Sequence, residues 1–182
     1  MSGHVCPWWL AYSFDNPLRR FLHDPVKLLG PFVAPGMTVL DAGCGMGFFT
    51  LGMARLVGEG GTVLAVDVQR KMLDITAKRA ARAGLAGRIR LRLCSPGDLG
   101  LAEPLDFALA FWMVHEVPAG EAFFRQIVAK LKPGGRVLAV EPRLHVSEAK
   151  FRETVRAAEA AGLRPAGPLP VRLSRAMVFE TK

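Results

Sequence analysis

From residue 37 onward the chain alternates short aliphatic runs with longer stretches in which apolar residues recur at helical spacing. The runs at 38–41, 62–67, 89–93, 106–111 and 136–141 each end at a polar residue or a turn, which predicts five strands. Between them, 48–57 is predicted helical and is stopped by Gly58, Gly60 and Gly61; 69–83 is predicted helical and is stopped by Gly84. The second of these helices sets Met72, Ile75 and Ala80 inward and Arg70, Lys71, Lys78, Arg79 and Arg82 mostly outward. The run at 89–93 alternates Ile89, Leu91 and Leu93 with arginines that continue Arg88, so one face should be wet, as suits a strand at or near a sheet edge.

Later in the chain, Ser147 is placed to cap a helix with Glu148 and Glu153 in its early turns and Gly162 at its close. Segments 169–173 and 176–180, separated by Ser174 and Arg175, read as two antiparallel strands that finish the sheet. Strands alternating with helices define an α/β fold: a doubly wound, mostly parallel seven-stranded sheet with helices on both faces and a C-terminal antiparallel strand pair. Ahead of the first strand, Asn16-Pro17 makes a helix start, and Pro25 interrupts or restarts that helix. Residues 37–182 form the expected domain, and 1–36 an N-terminal aromatic and helical segment of the same structural unit.

At 182 residues and 51% hydrophobic content, the chain can fill one core without disulfides or metal. Its three cysteines, Cys6, Cys44 and Cys94, form no Cys-x-x-Cys pattern, which fits a reducing compartment; with no apolar run of membrane-spanning length and no secretory leader pattern, a soluble cytoplasmic protein without membrane attachment is expected. The formal charge of +8 would attract phosphate, nucleic acid or an acidic small molecule without choosing among them.

The sharpest chemical feature is the apolar strand that runs into Asp41-Ala42-Gly43-Cys44-Gly45-Met46-Gly47 and opens a helix. Glycines there let backbone approach a ligand closely, and a helix N-terminus presents free N–H groups. Asp67 ends the next strand, where a carboxylate can accept hydrogen bonds from both hydroxyls of a ribose. Phe48 stands where a dinucleotide fingerprint places its last glycine, which makes NAD the lesser alternative for the cofactor.

The segment from about residue 37 to 141 resembles the class I S-adenosylmethionine-dependent methyltransferases, especially the small-molecule type related to ubiquinone and arsenite methyltransferases. The resemblance implies a Rossmann-like fold with S-adenosyl-L-methionine as cofactor. It implies that Asp41, Gly43, Cys44, Gly45 and Gly47 hold the methionine portion, that Asp67 binds the ribose, and that Val68 and Met72 lie beside the adenine. Leu131-Lys132-Pro133-Gly134-Gly135 matches the structural turn that the family places before its fifth strand. Relatives often have Gly-Asp-Ala after the third strand, where this chain has Cys94-Ser95-Pro96; either Ser95 or Asp98 would then meet the adenine, the alternative for Asp98 being a turn carboxylate beside Gly97.

The fourth strand continues into Phe111-Trp112-Met113-Val114-His115-Glu116, and ligands collect at the carboxyl ends of parallel strands. By resemblance, Phe111 and Trp112 line the cofactor while His115 and Glu116 face the acceptor. His115 either removes the acceptor's proton or only packs at the loop. The segment 4–12, with Trp8, Trp9 and Tyr12, reads as a lid over the site or a strap over a core edge; His4 and Cys6 alone make too few ligands for a metal site, and none is assigned. A small-molecule acceptor is expected. Nucleic acid is less favoured, since no Asn-Pro-Pro-Tyr-type motif follows the fourth strand, and a non-catalytic cofactor-binding protein is the alternative from another class. Neither the acceptor nor the oligomeric state is legible in the sequence.

Overall fold

The computed structural model describes residues 23–181, which divide into two compact units between Cys94 and Ser95. The expected lid residues 4–12 and the helix start at Asn16-Pro17 lie outside the described residues. The first described helix, α1 (Pro25–Leu29), begins at Pro25. Asp24 accepts hydrogen bonds from the N–H groups of Val26 and Lys27 at 3.0 and 3.2 Å, so proline occupies the position whose missing N–H costs nothing. Pro25 thus opens a helix, and the helix expected ahead of it lies outside the described residues.

Four further elements and a short edge complete this unit: β1 (Thr38–Ala42), α2 (Phe48–Leu56), β2 (Thr62–Asp67), α3 (Arg70–Arg82) and β3 (Ile89–Leu93). β2 lies between β1 and β3, parallel to both, in the registers Thr38↔Thr62 and Val63↔Ile89. Val39, Leu40, Val63, Ala65 and Val66 are almost wholly buried, as in a parallel sheet covered on both faces. β3 departs from the expected alternation: Leu91 and Leu93 keep 36% and 45% of their surface exposed, so its apolar side is only partly covered. Arg79 also departs, since its guanidinium turns inward to the Met46 carbonyl at 3.0 Å.

In the second unit β4 (Leu105–Phe111) pairs in parallel with β5 (Leu131–Pro142), and α4 (Gly120–Val128) connects them. α5 (Glu148–Ala160) follows, then β6 (Leu163–Pro168) and β7 (Ser174–Thr181). β7 is antiparallel to both β5 and β6, giving the order β4-β5-β7-β6. The described residues form seven strands, mostly parallel with an antiparallel C-terminal pair, which is the α/β class expected. The Lys-Pro-Gly-Gly turn is a bulge within β5: the register passes from Leu105↔Leu131 to Phe107↔Arg136, and Lys132 reaches Asp106 at 2.8 Å. Ser147 caps α5 through the N–H of Lys150, as predicted.

One strand was predicted in the wrong place. The penultimate strand is Leu163–Pro168 and not 169–173, which instead connects it to β7. Its sequence, Leu-Arg-Pro-Ala-Gly-Pro, reads as a loop, but among the described residues β6 pairs with β7 alone and carries an irregularity between Pro165 and Gly167. Proline is tolerated where an N–H faces away from any partner strand.

Candidate functional site

In the first unit the turn after β1 places three glycines in the left-handed region, Gly43, Gly45 and Gly47, with φ of 69°, 52° and 82°. The N–H groups of Gly43 and Cys44 bond to the Val66 carbonyl at 2.9 and 3.0 Å, so the turn folds directly onto the end of β2. Asp41 is 2% exposed and accepts from the Thr50 hydroxyl of α2 at 2.5 Å, which ties the strand before the turn to the helix after it. Arg79 and Thr76 of α3 hold the carbonyls of Met46 and Gly45. Thr50, Thr76 and Arg79 were not foreseen, because nothing in their own segments marks them as partners of a loop far away in the chain.

Asp67 joins the same cluster. One carboxylate oxygen accepts from the Gly45 N–H at 2.9 Å and the other from the Gln69 N–H at 2.8 Å. Burial raises its pKa above the usual carboxylate range, against the lowering effect of those backbone donors. A buried carboxylate with a free lone pair on each oxygen is suited to two further donors, such as vicinal hydroxyls. A Cβ at Gly45 would meet nothing within 4 Å, so the turn presents bare backbone to open space. These features fit the nucleoside and amino-acid parts of S-adenosylmethionine. Cys44 is buried in the same cluster, and its thiol is pushed well up by burial and by the nearby Asp41 and Asp67 carboxylates, so it serves as packing and not as a nucleophile. Met72 is buried and Val68 is 37% exposed at the strand's end.

In the second unit Ser95 and Asp98 close a tight turn by reciprocal backbone bonds of 3.1 and 3.0 Å. Pro96 and Gly97, the latter at φ 92°, supply its two central residues in the pattern of a type II turn. The Asp98 carboxylate accepts from the Gly100 N–H at 2.7 Å, which is the turn role weighed for it above, and Ser95 and Pro96 remain exposed. Gln126 of α4 pins this turn by bonding both the Leu99 N–H and the Gly97 carbonyl.

The end of β4 carries the second cluster of polar groups. His115 stands in a single turn of 3₁₀ helix, Val114–Glu116, and its Nδ1 lies 2.5 Å from Oε2 of Glu141. The other oxygen of Glu141 accepts the His115 backbone N–H at 3.1 Å. Glu141 is fully buried near the carboxyl end of β5 and uses both oxygens on one residue, fixing where the imidazole sits and how it turns. The hydrogen bond that His115 donates to Glu141 raises the His115 pKa, with burial opposing and the charges of Glu141 and Glu116 adding. With Nδ1 as donor, Nε2 is left as the basic nitrogen; Glu116 lies 3.9 Å from it. Sequence reasoning placed Glu141 only as a strand end. An acid closing an apolar parallel strand was the available signal.

Trp112 takes a left-handed backbone, φ 59°, and its indole N–H donates to the Ser174 hydroxyl at 2.9 Å. Phe111 is buried with its ring centroid 5.3 Å from that of Trp112.

A methyltransferase domain family model matches residues 34–164. The ubiquinone/menaquinone biosynthesis C-methyltransferase UbiE of Vibrio vulnificus is 30% identical over 142 residues, which are 78% of this chain and 49% of that protein. The nocamycin O-methyltransferase of Saccharothrix syringae is 33% identical over 129 residues, 69% of this chain and 43% of that one. The chain spans about half the length of these relatives. Among solved structures, a SAM-dependent methyltransferase from Aquifex aeolicus superposes with a TM-score of 0.85 at 25% identity, covering 96% of this chain and 98% of that one. By this family match and these relatives, the chain belongs to the class I S-adenosylmethionine-dependent methyltransferases. No described helix is long and apolar enough to cross a membrane.

Proposed function

We propose that the protein transfers the methyl group of S-adenosylmethionine to a small-molecule acceptor, with His115 as the base that takes the acceptor's proton. The observation that carries this reading is the Glu141 carboxylate bonded to both Nδ1 and the backbone N–H of His115. A solvated histidine needs no such anchor. A buried carboxylate on Nδ1 selects the tautomer with a free Nε2 and stabilises the imidazolium formed when that nitrogen takes a proton.

The cofactor, when bound, supplies a sulfonium-activated methyl group, so the protein's share is orientation, exclusion of water and proton removal. Asp67 would accept from the ribose hydroxyls while the bare backbone at Gly45 lets the methionine portion pass. Val68 and Met72 would flank the adenine, with Ser95 or Pro96 at its edge. By the family resemblance Phe111 and Trp112 would line the cofactor, and Glu116 would balance charge on the imidazolium. For a neutral hydroxyl or an acidic carbon as the reacting atom, proton transfer to Nε2 of His115 leaves the electron pair free to attack the methyl carbon as the carbon–sulfur bond breaks.

The test is binding followed by turnover. Calorimetric titration of the full chain with S-adenosylmethionine, S-adenosylhomocysteine and NAD should show selective binding of the first two. Release of S-adenosylhomocysteine would then be screened against hydroxylated and carbon-acid acceptors. Binding of NAD alone, or cofactor binding with equal turnover by wild type and His115→Gln, would overturn the reading.

A further inference from the structure

The second unit holds a cleft of about 410 Å³ whose walls no catalytic role above accounts for. It lies between the start of α5 and the loop that joins β6 to β7, and a volume of this order is at the small-molecule end of ligand sites. Its lining includes the apolar residues Phe151, Leu169 and Met177, with two prolines. Two arginines, Arg143 and Arg175, line it as well. Arg143 spends only Nε on the Ser174 carbonyl and Arg175 only Nη1 on the Val146 carbonyl, leaving both terminal nitrogens of the first and Nε and Nη2 of the second without a partner among the described residues. Glu148, the acid on the wall, is already paired with Arg152 at 2.8 Å. The cleft thus combines unpaired cationic nitrogens with apolar side chains.

Its position ties it to the base. Arg175 is the direct partner of Glu141 across the antiparallel β5–β7 pair, and residues so paired project from the same face. The turn that carries His115 packs against both β5 and α5, the helix that walls the cleft. Ser174, in the cleft wall, receives the Trp112 indole N–H. Two non-glycine residues with left-handed backbones, Trp112 and Leu173, flank that serine by hydrogen bond and by sequence, a strain that the surrounding structure must hold in place. Leu144 and Leu173, next in sequence to Arg143 and Ser174, are 85% and 54% exposed and add apolar surface to the same end of the unit.

We infer that this cleft is the acceptor's anchoring site, and that the acceptor is an anionic amphiphile: a carboxylate or phosphate held by Arg143 and Arg175, joined to a flat or aliphatic body lying on Phe151 and Met177. The inference rests on the methyltransferase reading for its purpose, but its binding test does not. Planar guanidinium forks suit either oxyanion, and a charge on the acceptor far from the reacting atom adds affinity without altering the methyl-transfer step.

The full chain, saturated with S-adenosylhomocysteine, would be titrated with 4-hydroxyphenylacetate, the neutral 4-hydroxyphenylacetamide and phenyl phosphate. At least one anion should bind at least tenfold more tightly than the amide, and the order of the two anions identifies the headgroup. Arg143→Gln and Arg175→Gln should each remove most of that preference. Because these arginines also hold backbone carbonyls, Glu148→Gln is the complementary variant: it removes a like charge from the rim and should tighten the anion about two- to threefold. Equal binding of anion and amide, binding of none of the three, or an anion affinity lowered by Glu148→Gln would overturn the inference. Failure of S-adenosylhomocysteine itself to bind would strike the methyltransferase reading, leaving the anion preference to be measured on the chain alone.

Discussion

Gly45 and Gly47 share a left-handed backbone but differ in what surrounds them, so the same substitution at each should have different consequences. Alanine at either position costs about 1–2 kcal/mol for the left-handed conformation alone. At Gly47 the added Cβ would also stand 2.7 Å from Cγ2 and 2.9 Å from Oγ1 of Thr76, the side chain that holds the Gly45 carbonyl at 2.9 Å. Relieving that overlap costs roughly 1–3 kcal/mol more, and displacing the hydroxyl forfeits a hydrogen bond worth about 1 kcal/mol. Gly47→Ala should therefore destabilise the fold by about 3–6 kcal/mol, enough to lower Tm by roughly 6 °C or more in a chain of this size. At Gly45 the Cβ enters open space, so only the conformational cost applies to stability. That space is where the cofactor is proposed to pass, so Gly45→Ala should weaken S-adenosylhomocysteine at least tenfold, about 1.4 kcal/mol. Thermal melts and calorimetric titrations of both variants separate the two effects. A Gly47→Ala/Thr76→Ser double variant should recover part of the lost stability, because the closest overlapping methyl is gone. Gly45→Ala being the more destabilising of the two, or binding the cofactor like wild type, would refute the reasoning.

Other expectations follow from the ionisable groups. If His115 is the base, kcat/KM rises with pH as its imidazole loses a proton, and Glu141→Gln should move that limb to lower pH and lower the plateau by about 10²-fold or more; an unmoved profile would remove Glu141 from the role. The His115–Glu141 pair also makes a stability signature. Its histidine pKa is raised on folding, so the pair's contribution is full below the ordinary histidine value and is lost as pH climbs through the raised one; wild type minus His115→Gln melts across that range measure it. Asp67→Ala should weaken S-adenosylhomocysteine at least tenfold. In the wild type that affinity should fall as pH drops through the raised Asp67 value, since a protonated carboxyl accepts fewer donors; flat affinity would dissociate Asp67 from the ribose. Iodoacetamide at neutral pH should label Cys94 before the buried, proton-retaining Cys44, which peptide mass mapping resolves; the reverse order would contradict the burial of the thiol.

The sequence by itself determined what local chemistry encodes. Apolar runs closed by polar residues located β1 to β5, glycines marked the helix exits and the turn after β1, and Ser147 announced α5. Asp41, the glycine turn and Asp67 were legible because a strand, a tight turn and a strand-end acid each leave a mark within a few residues. Tertiary structure alone decided the rest. β6 was misplaced because its prolines and glycine look like a loop until an edge position makes their missing N–H groups harmless. Arg79 read as solvated and proved to hold a loop carbonyl. Glu141 meets His115 from 26 residues away, and Arg143 and Arg175 line one cleft although α5 and β6 separate them in the chain. Such pairings are set by strand register and by how helices pack on the sheet, quantities that depend on the whole core and have no period or spacing in the chain.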